Sequence, residues 1–436
     1  MAYLVGVLIV VVVLLLSIGL HEIGHMVPAK RFGVRVSQYM VGFGPTLWSR
    51  TKGETEYGLK AIPLGGYVRL VGMYAPDEAV GNPPANTWYR RLSRDARQAS
   101  AEEILPGEDA RAFYHLSTPK KLVVMLGGPV MNLVIAFVLL GIVAVGFGMP
   151  AQTPTLSTVS QCVIPSDADP DRSCLPTDQA APGAAAGLLP GDTVVSYDGV
   201  AVDSWDQLTA AIRATGDEAT PIVVERDGAQ VELTVTPVVA QRGVYDDNGQ
   251  PVLDSSGKQK TQAVGFLGIS PTEVMERQSP LAVPGIVADR TWQTVSVVAT
   301  LPARVGDLVQ TTFGNEERDA NSIVGVVGIG RFAGEIASAD GVSDGIRAAA
   351  LLEMLAALNI ALFVFNLIPL PPLDGGHVAA ALWEGGRRQV ARLRGRPRPG
   401  AFDSAKLVPL AYGVFVVLGA VGLLLVYADV VNPIQI

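Results

Sequence analysis

Residues 3–25 read YLVGVLIVVVVLLLSIGLHEIGH. The first 18 of them hold no Asp, Glu, Lys or Arg, close to the length a helix needs to cross a hydrocarbon core. The run ends directly on three ionisable side chains, His21, Glu22 and His25. Three more uncharged runs follow at Leu122–Met149, Met354–Leu373 and Leu407–Ala428. The 436-residue chain is 49% hydrophobic and only 17% charged, against about 25% charged in an ordinary soluble domain. These features predict a polytopic α-helical membrane protein with four transmembrane helices. The first run has no basic leader and no Ala-x-Ala cleavage site, so it is expected to be a retained helix and not a secretory signal.

Charge then predicts sidedness, because basic residues concentrate in cytoplasmic loops. Residues 28–121 hold 14 Lys/Arg and 9 acids, and residues 387–406 hold 7 Lys/Arg and 1 acid. Residues 150–350 hold 12 Lys/Arg against 26 acids. The two basic segments are therefore expected inside, with the acidic middle and both termini extracytoplasmic. The overall net charge of −8 argues against a nucleic-acid partner. Four histidines and two cysteines exclude a Cys-rich zinc framework. Cys162 and Cys174 fall in the outer run QCVIPSDADPDRSC, where an oxidising compartment permits a disulfide. Two separate thiols are the alternative.

His21 and His25 are four apart, so a helix puts both on one face, able to share a metal, and Glu22 can act on a water there as general base. A helix end whose polar groups merely meet lipid headgroups is the plain alternative. A second ionisable cluster sits in FNLIPLPPLDGGHVAAALW, where Asp374 and His377 interrupt apolar sequence. An intramembrane charge costs about 2.5–3.5 kcal/mol on insertion scales, which makes each a functional candidate. Pro369, Pro371 and Pro372 precede Asp374, and Gly375 and Gly376 follow it. Broken backbone at membrane depth is tolerated only where protein or a cavity surrounds it. A carboxylate on such a break can supply a third ligand, and two His plus one carboxylate suit Zn2+. His377 is expected to pack or support and not to ligate. Both clusters are predicted near the cytoplasmic face, since the first helix ends there and the third approaches Arg387.

With these segments read, the chain resembles the site-2 protease family of intramembrane zinc metalloproteases, in its bacterial and actinobacterial branch. The resemblance rests on HEIGH at 21–25 and NLIPLPPLDGG at 366–376. VGFGPTLW at 41–48, YGLKAIPLGGYVRLVGM at 57–73 and GGPVMN at 127–132 add to it in the family's order. It implies zinc on His21, His25 and Asp374, Glu22 activating water, and Asn366 helping to hold the substrate backbone. An interhelical hydrogen bond is the other reading of Asn366. The implied substrates are single-pass proteins of the cell membrane, such as anti-sigma factors already trimmed outside or remnant signal peptides.

A helical substrate hides its peptide bonds and must be held extended before it is cut. Strand addition to a sheet edge does this. Gln38–Val41, Glu56–Ile62 and Gly66–Val71 read as strands, and the resemblance implies a re-entrant, membrane-associated β-sheet here. An ordinary cytoplasmic hairpin is the alternative. Gly65 and Gly66 are expected to let substrate approach closely.

In the outer segment, APGAAAGLLPGDTVVSYDGVAVDSWDQLTAAIRA at 181–214 predicts a short helix, a turn, a strand Thr193–Tyr197, a turn at Asp198–Gly199 and a helix Trp205–Arg213. Strands Ile222–Glu225 and Val231–Thr236 follow around Asp227–Gly228. This resembles one PDZ-like α+β domain, although no glycine-rich carboxylate loop precedes it. The expected organisation is 1–73 (first helix and β region), 74–118 (cytoplasmic insertion, possessing helical stretches at Ala85–Leu92 and Asp95–Glu103), 119–149 (second helix), 150–275 (PDZ-like domain), 276–350 (membrane-proximal segment), 351–386 (third helix), 387–406 (basic loop) and 407–430 (fourth helix). A PDZ-bearing scaffold with a structural metal, or a metal transporter, would need no general base at Glu22. A transporter would also need further polar groups along its helices, and the second helix offers only Asn132.

Overall fold

The computed structural model describes all residues except 82–85, 165–171, 245–251, 253–259, 315–317, 319–321, 398 and 435–436. The chain divides into two compact units, one made of Met1–Gly146 with Ser279–Ile436 and the other of Phe147–Gln278.

In the first unit, α1 (Ala2–Arg31) runs without a break from the apolar stretch through HEIGH. Two long strands follow, β1 (Val36–Lys52) and β2 (Thr55–Leu70). Their register makes four adjacent rows from two strands. Val36–Val41 pairs with Leu70–Gly66 on one side and with Glu56–Leu59 on the other, and Trp48–Lys52 returns against Leu59–Thr55. The strands are longer than the three short ones expected. Phe43, Leu47, Trp48, Leu59 and Ile62 are all exposed, an apolar surface that suits lipid contact.

The stretch 74–118 contains α2 (Trp88–Glu102), one continuous helix where two were expected, which covers Asp95–Glu102 and the later part of Ala85–Leu92. Ala85 itself lies outside the described residues. Arg97, almost fully buried, pairs with Asp77 and donates to both oxygens of Asp403 at 3.1 Å. A buried arginine needs such partners, and these tie the insertion to the segment before the last helix. His115, expected to be a solvated loop residue, is about half exposed and contacts Asp109 at 2.8 Å. The next helix is α3 (Thr118–Gly141), continued by a π-helical turn to Phe147.

The second unit holds β3 (Met149–Val159), α4 (Pro182–Ala185), β4 (Thr193–Tyr197), β5 (Val200–Ala201), α5 (Trp205–Ala214), β6 (Thr220–Arg226), β7 (Ala229–Val235), β8 (Val238–Gly243), β9 (Thr261–Phe266) and β10 (Ile269–Glu276). The main sheet runs β10-β3-β4-β6-β7, with β5 beside β4, and β8 and β9 form a separate hairpin. Asp198 and Asp227 take φ of 53°, each followed by a glycine at positive φ, the conformation of a tight two-residue hairpin turn. The core is Leu156, Leu188, Val194, Tyr197, Leu208, Ile212, Ile222, Val224, Val235 and Leu267. Cys162 is joined to Cys174 by a disulfide. The polar insertion between β8 and β9 falls mainly outside the described residues.

The chain returns to the first unit with α6 (Val283–Ala299), α7 (Leu301–Phe313), α8 (Val326–Ser338), α9 (Asp344–Asn366), α10 (Asp374–Leu393) and α11 (Val408–Val431). Among the described residues, four helical segments are long and apolar enough to cross a membrane: Ala2–Arg31, Thr118–Phe147, Asp344–Asn366 and Ser404–Val431. The third predicted run is not one helix. It stops at Asn366 and a new helix starts at Asp374, because the proline-rich turn between them cannot carry helical hydrogen bonds. Gly375 and Gly376 lie so close to the backbone of Leu367–Pro371 that a side chain at either would collide with it.

Candidate metal centre

The centre is assembled where α1, α3 and the start of α10 converge. Gly24 of α1 and Gly127 of α3 face each other with no room for a Cβ on either, and Gly128 lies directly against the imidazoles of His21 and His25. Small residues let the two helices approach closely. The approach brings two α3 groups onto the backs of the histidines. His25 Nδ1 lies 2.7 Å from the Val124 carbonyl, and His21 Nδ1 lies 3.1 Å from the Asn132 amide.

The carbonyl contact fixes the tautomer of His25. A carbonyl only accepts, so His25 carries its proton on Nδ1 when neutral and presents a lone pair at Nε2. The Asn132 carbonyl oxygen is buried with no partner. Turning the amide by 180°, which exchanges its oxygen and nitrogen, lets that oxygen accept from His21 Nδ1–H. His21 then also presents Nε2 as a lone pair. Backing of this kind is how metal-binding imidazoles are held.

With the amide so turned, three acceptors face one another. The two Nε2 atoms are 3.2 Å apart, and Asp374 Oδ2 is 3.3 Å from each. Asp374 Oδ2 is buried and has no hydrogen-bond donor. Such a triad repels itself without a positive charge between its members. Donors about 2.1 Å from a tetrahedral ion are about 3.4 Å from one another, so the observed triangle fits a zinc-sized cation. Among the described residues, His21, His25 and Asp374 are the one group of three whose donor atoms come together this closely.

Glu22, on the same turn, is 8% exposed. Its neighbours include both histidines, Asp374 and the backbone of Val68. A Cβ on Gly66 would sit 3.1 Å from Glu22 Cγ, so the 66–70 row of β2 passes beside this carboxylate. Gly65, at φ 110°, turns the chain into that row and lies against Phe43. The structure does not bring Asn366 into the triad. Its amide donates to Leu362 O at 3.0 Å, one turn back in its own helix. His377 lines a small cavity with Lys121, Glu384 and Phe402. The sequence reading gave Asn132 no role. Its signal was a lone amide in the 28-residue uncharged run Leu122–Met149.

The profile of Peptidase family M50 matches residues 9–397. The chain belongs to the M50 peptidases. Zinc metalloprotease Rip1 of Mycobacterium tuberculosis is 34% identical over 442 residues, covering 100% of both chains. Rip1 of Mycolicibacterium smegmatis is 33% identical over 450 residues, again covering 100% of both. Metalloprotease MmpA of Caulobacter vibrioides is 28% identical over 395 residues, 87% of this chain and 88% of that one. This M50 peptidase is a zinc metalloprotease with four apolar helices suited to a membrane.

Proposed function

We propose that this protein is an intramembrane endopeptidase that cuts transmembrane segments of single-pass membrane proteins, using His21, His25 and Asp374 as zinc ligands and Glu22 as general base. The observation that carries the reading is the unpartnered Asp374 Oδ2, 3.3 Å from each of two imidazole Nε2 atoms. Bound zinc supplies Lewis acidity toward the scissile carbonyl and toward water. Glu22 takes the proton from the attacking water and returns it to the departing amine nitrogen. The Val124 carbonyl and the Asn132 amide hold the imidazoles in the ligating tautomer.

The substrate must be unwound before Glu22 can act on it. The 66–70 row of β2 runs past Glu22 and, among the described residues, pairs with β1 on one side only. An extended substrate strand can add to the other side, with Gly65 and Gly66 leaving space for its backbone. Asn366 would release Leu362 and turn its amide to a substrate carbonyl. The substrates we propose are anti-sigma factors trimmed outside the cell or signal-peptide remnants.

We further propose that the basic segments face the cytoplasm and that the second unit is an extracytoplasmic PDZ-like domain. What supports the PDZ reading is a groove of about 880 Å3 between α5 and the start of β10, lined by Trp205, Thr209, Ile212 and the GFLGIS stretch at 265–270. No glycine-rich carboxylate loop precedes the domain in the sequence, and we propose that the GFLG stretch at 265–268, which follows it in the chain, takes that place. Leu267 and Gly268 sit outside any strand there, and Gly268 takes φ 76°.

The test compares purified wild type, Glu22→Gln and Asp374→Ala on a reconstituted single-pass substrate, with zinc measured in each. Glu22→Gln should keep zinc and lose cleavage, by 100-fold or more on the order expected for a general base. Asp374→Ala should lose both. Equal cleavage by wild type and Glu22→Gln would end the proposal.

A further inference from the structure

The helix that begins at Asp374 continues well beyond the metal centre, and its far half is two-faced. Ala381, Glu384 and Ala391 are buried. Glu384 accepts from Lys121 of α3 at 2.9 Å, pairs with Arg388 at 2.6 Å and accepts from the Phe402 backbone at 3.1 Å. These contacts pin one side of α10 to the protein. The opposite side is open. Leu382, Trp383, Val390 and Leu393 are 56%, 62%, 46% and 77% exposed. Trp383, Arg387, Val390 and Arg394 follow each other at helical spacing, so they form one stripe.

A groove of about 800 Å3 runs along that stripe, walled by Leu382, Trp383 and Val390, with Arg387, Arg394 and Arg396 on it. Among the described residues none of the three arginines makes an ion pair, whereas neighbouring Arg388 does. The segment is held at both ends by membrane-suited helices, α9 ending at Asn366 and α11 starting at Val408. Apolar walls, an indole and unpaired guanidinium groups beside a membrane match an amphiphile with an anionic head.

We propose that this groove seats an anionic phospholipid of the surrounding bilayer. Its acyl chain lies against Leu382, Trp383 and Val390, and its phosphate is held by Arg387, Arg394 and Arg396. The guanidinium fork suits phosphate oxygens. The residues 387–406 carry 7 Lys/Arg against 1 acid, so the surrounding potential also favours a negative head. Seating a lipid here would brace the helix whose first residue is Asp374.

The full-length protein in nanodiscs provides the test. Brominated phosphatidylglycerol in unlabelled phosphatidylcholine is compared with brominated phosphatidylcholine in unlabelled phosphatidylglycerol, at equal bromine content. The quenching of Trp383 is taken as the difference between wild type and Trp383→Phe. Each arginine should enrich the anionic lipid about fivefold, so the phosphatidylglycerol probe should quench Trp383 far more strongly. The triple Arg→Gln variant at 387, 394 and 396 should bring the two probes level, and the triple Arg→Lys variant should keep most of the preference. Neutralising Arg90 and Arg91 on α2 should leave it unchanged. Inorganic phosphate, against chloride at equal ionic strength, should not displace the lipid. Equal quenching by both probes in wild type would overturn the proposal and point to an acidic protein partner instead. Loss of the preference in inorganic phosphate would reduce the groove to a simple anion site, and would overturn it as well.

Discussion

Asn132 is the residue whose chemistry is most easily missed and most easily tested. It is 1% exposed, its amide nitrogen lies 3.1 Å from His21 Nδ1, and among the described residues its carbonyl oxygen has no hydrogen-bond partner. If the amide oxygen accepts from His21 Nδ1, its job is to keep the proton off Nε2. Asn132→Leu should then weaken zinc binding about 10–100-fold, the range for losing such a supporting hydrogen bond. Asn132→Asp, which keeps an acceptor, should retain most of the affinity. Competition with a chromogenic chelator measures both, and unchanged affinity in Asn132→Leu would remove Asn132 from the centre. His21, Glu22, His25 and Asp374 were legible because charge in an apolar run is expensive and calls for a reason. Asn132 sent a weaker signal, since a single amide is tolerated in a membrane helix. The Val124 carbonyl sent none, because every residue has one.

Elements divide in the same way. Thr193–Tyr197, Trp205–Arg213 and the two Asp-Gly turns could be read locally, since alternation and positive-φ residues specify them within a few positions. The four-row β-sheet could not, because its rows are set by pairing between Val36–Val41 and two separate parts of β2. The buried Lys121–Glu384 pair joins residues 263 apart, a relation no local pattern carries. Within the second unit, Asp192 is 1% exposed and is held by Arg226 at 2.7 Å. That guanidinium, aided by the Leu189 backbone N–H, keeps the Asp192 carboxyl below its ordinary range despite burial. A lowered folded pKa gives stability that is complete above the unfolded value of about 3.9 and is lost as pH falls through the folded value. Arg226→Ala should therefore cost about 2 kcal/mol near neutrality and flatten the acid dependence. Hydrogen exchange of β4 and β6 amides, corrected for intrinsic pH effects, reads both. The disulfide closes a loop spanning 12 positions, for which chain entropy predicts about 3 kcal/mol. Cys162→Ser with Cys174→Ser should lower the same protection.

At the scale of the whole molecule, the proposed activity requires the two chain ends of the centre to reach it from one side of the bilayer. His21 and His25 lie at the far end of the first span, and Asp374 follows the third. Two spans, the second and the third, separate His25 from Asp374. An even number of crossings returns the chain to the same side, so the first and third spans run in the same direction and the donors can meet. The orientation we propose has the second span returning the chain, with Phe147–Gln278 following it on the extracytoplasmic side. The Cys162–Cys174 disulfide is consistent with that orientation, because disulfides are rare in a reducing cytosol. In a cysteine-free background, a cysteine placed at Asp217 should react with a membrane-impermeant maleimide in intact cells. One placed at Arg50 or Arg394 should react only after permeabilisation. Labelling of Arg50→Cys in intact cells would put the basic segments outside and reverse the proposed orientation, even with the zinc triad left standing.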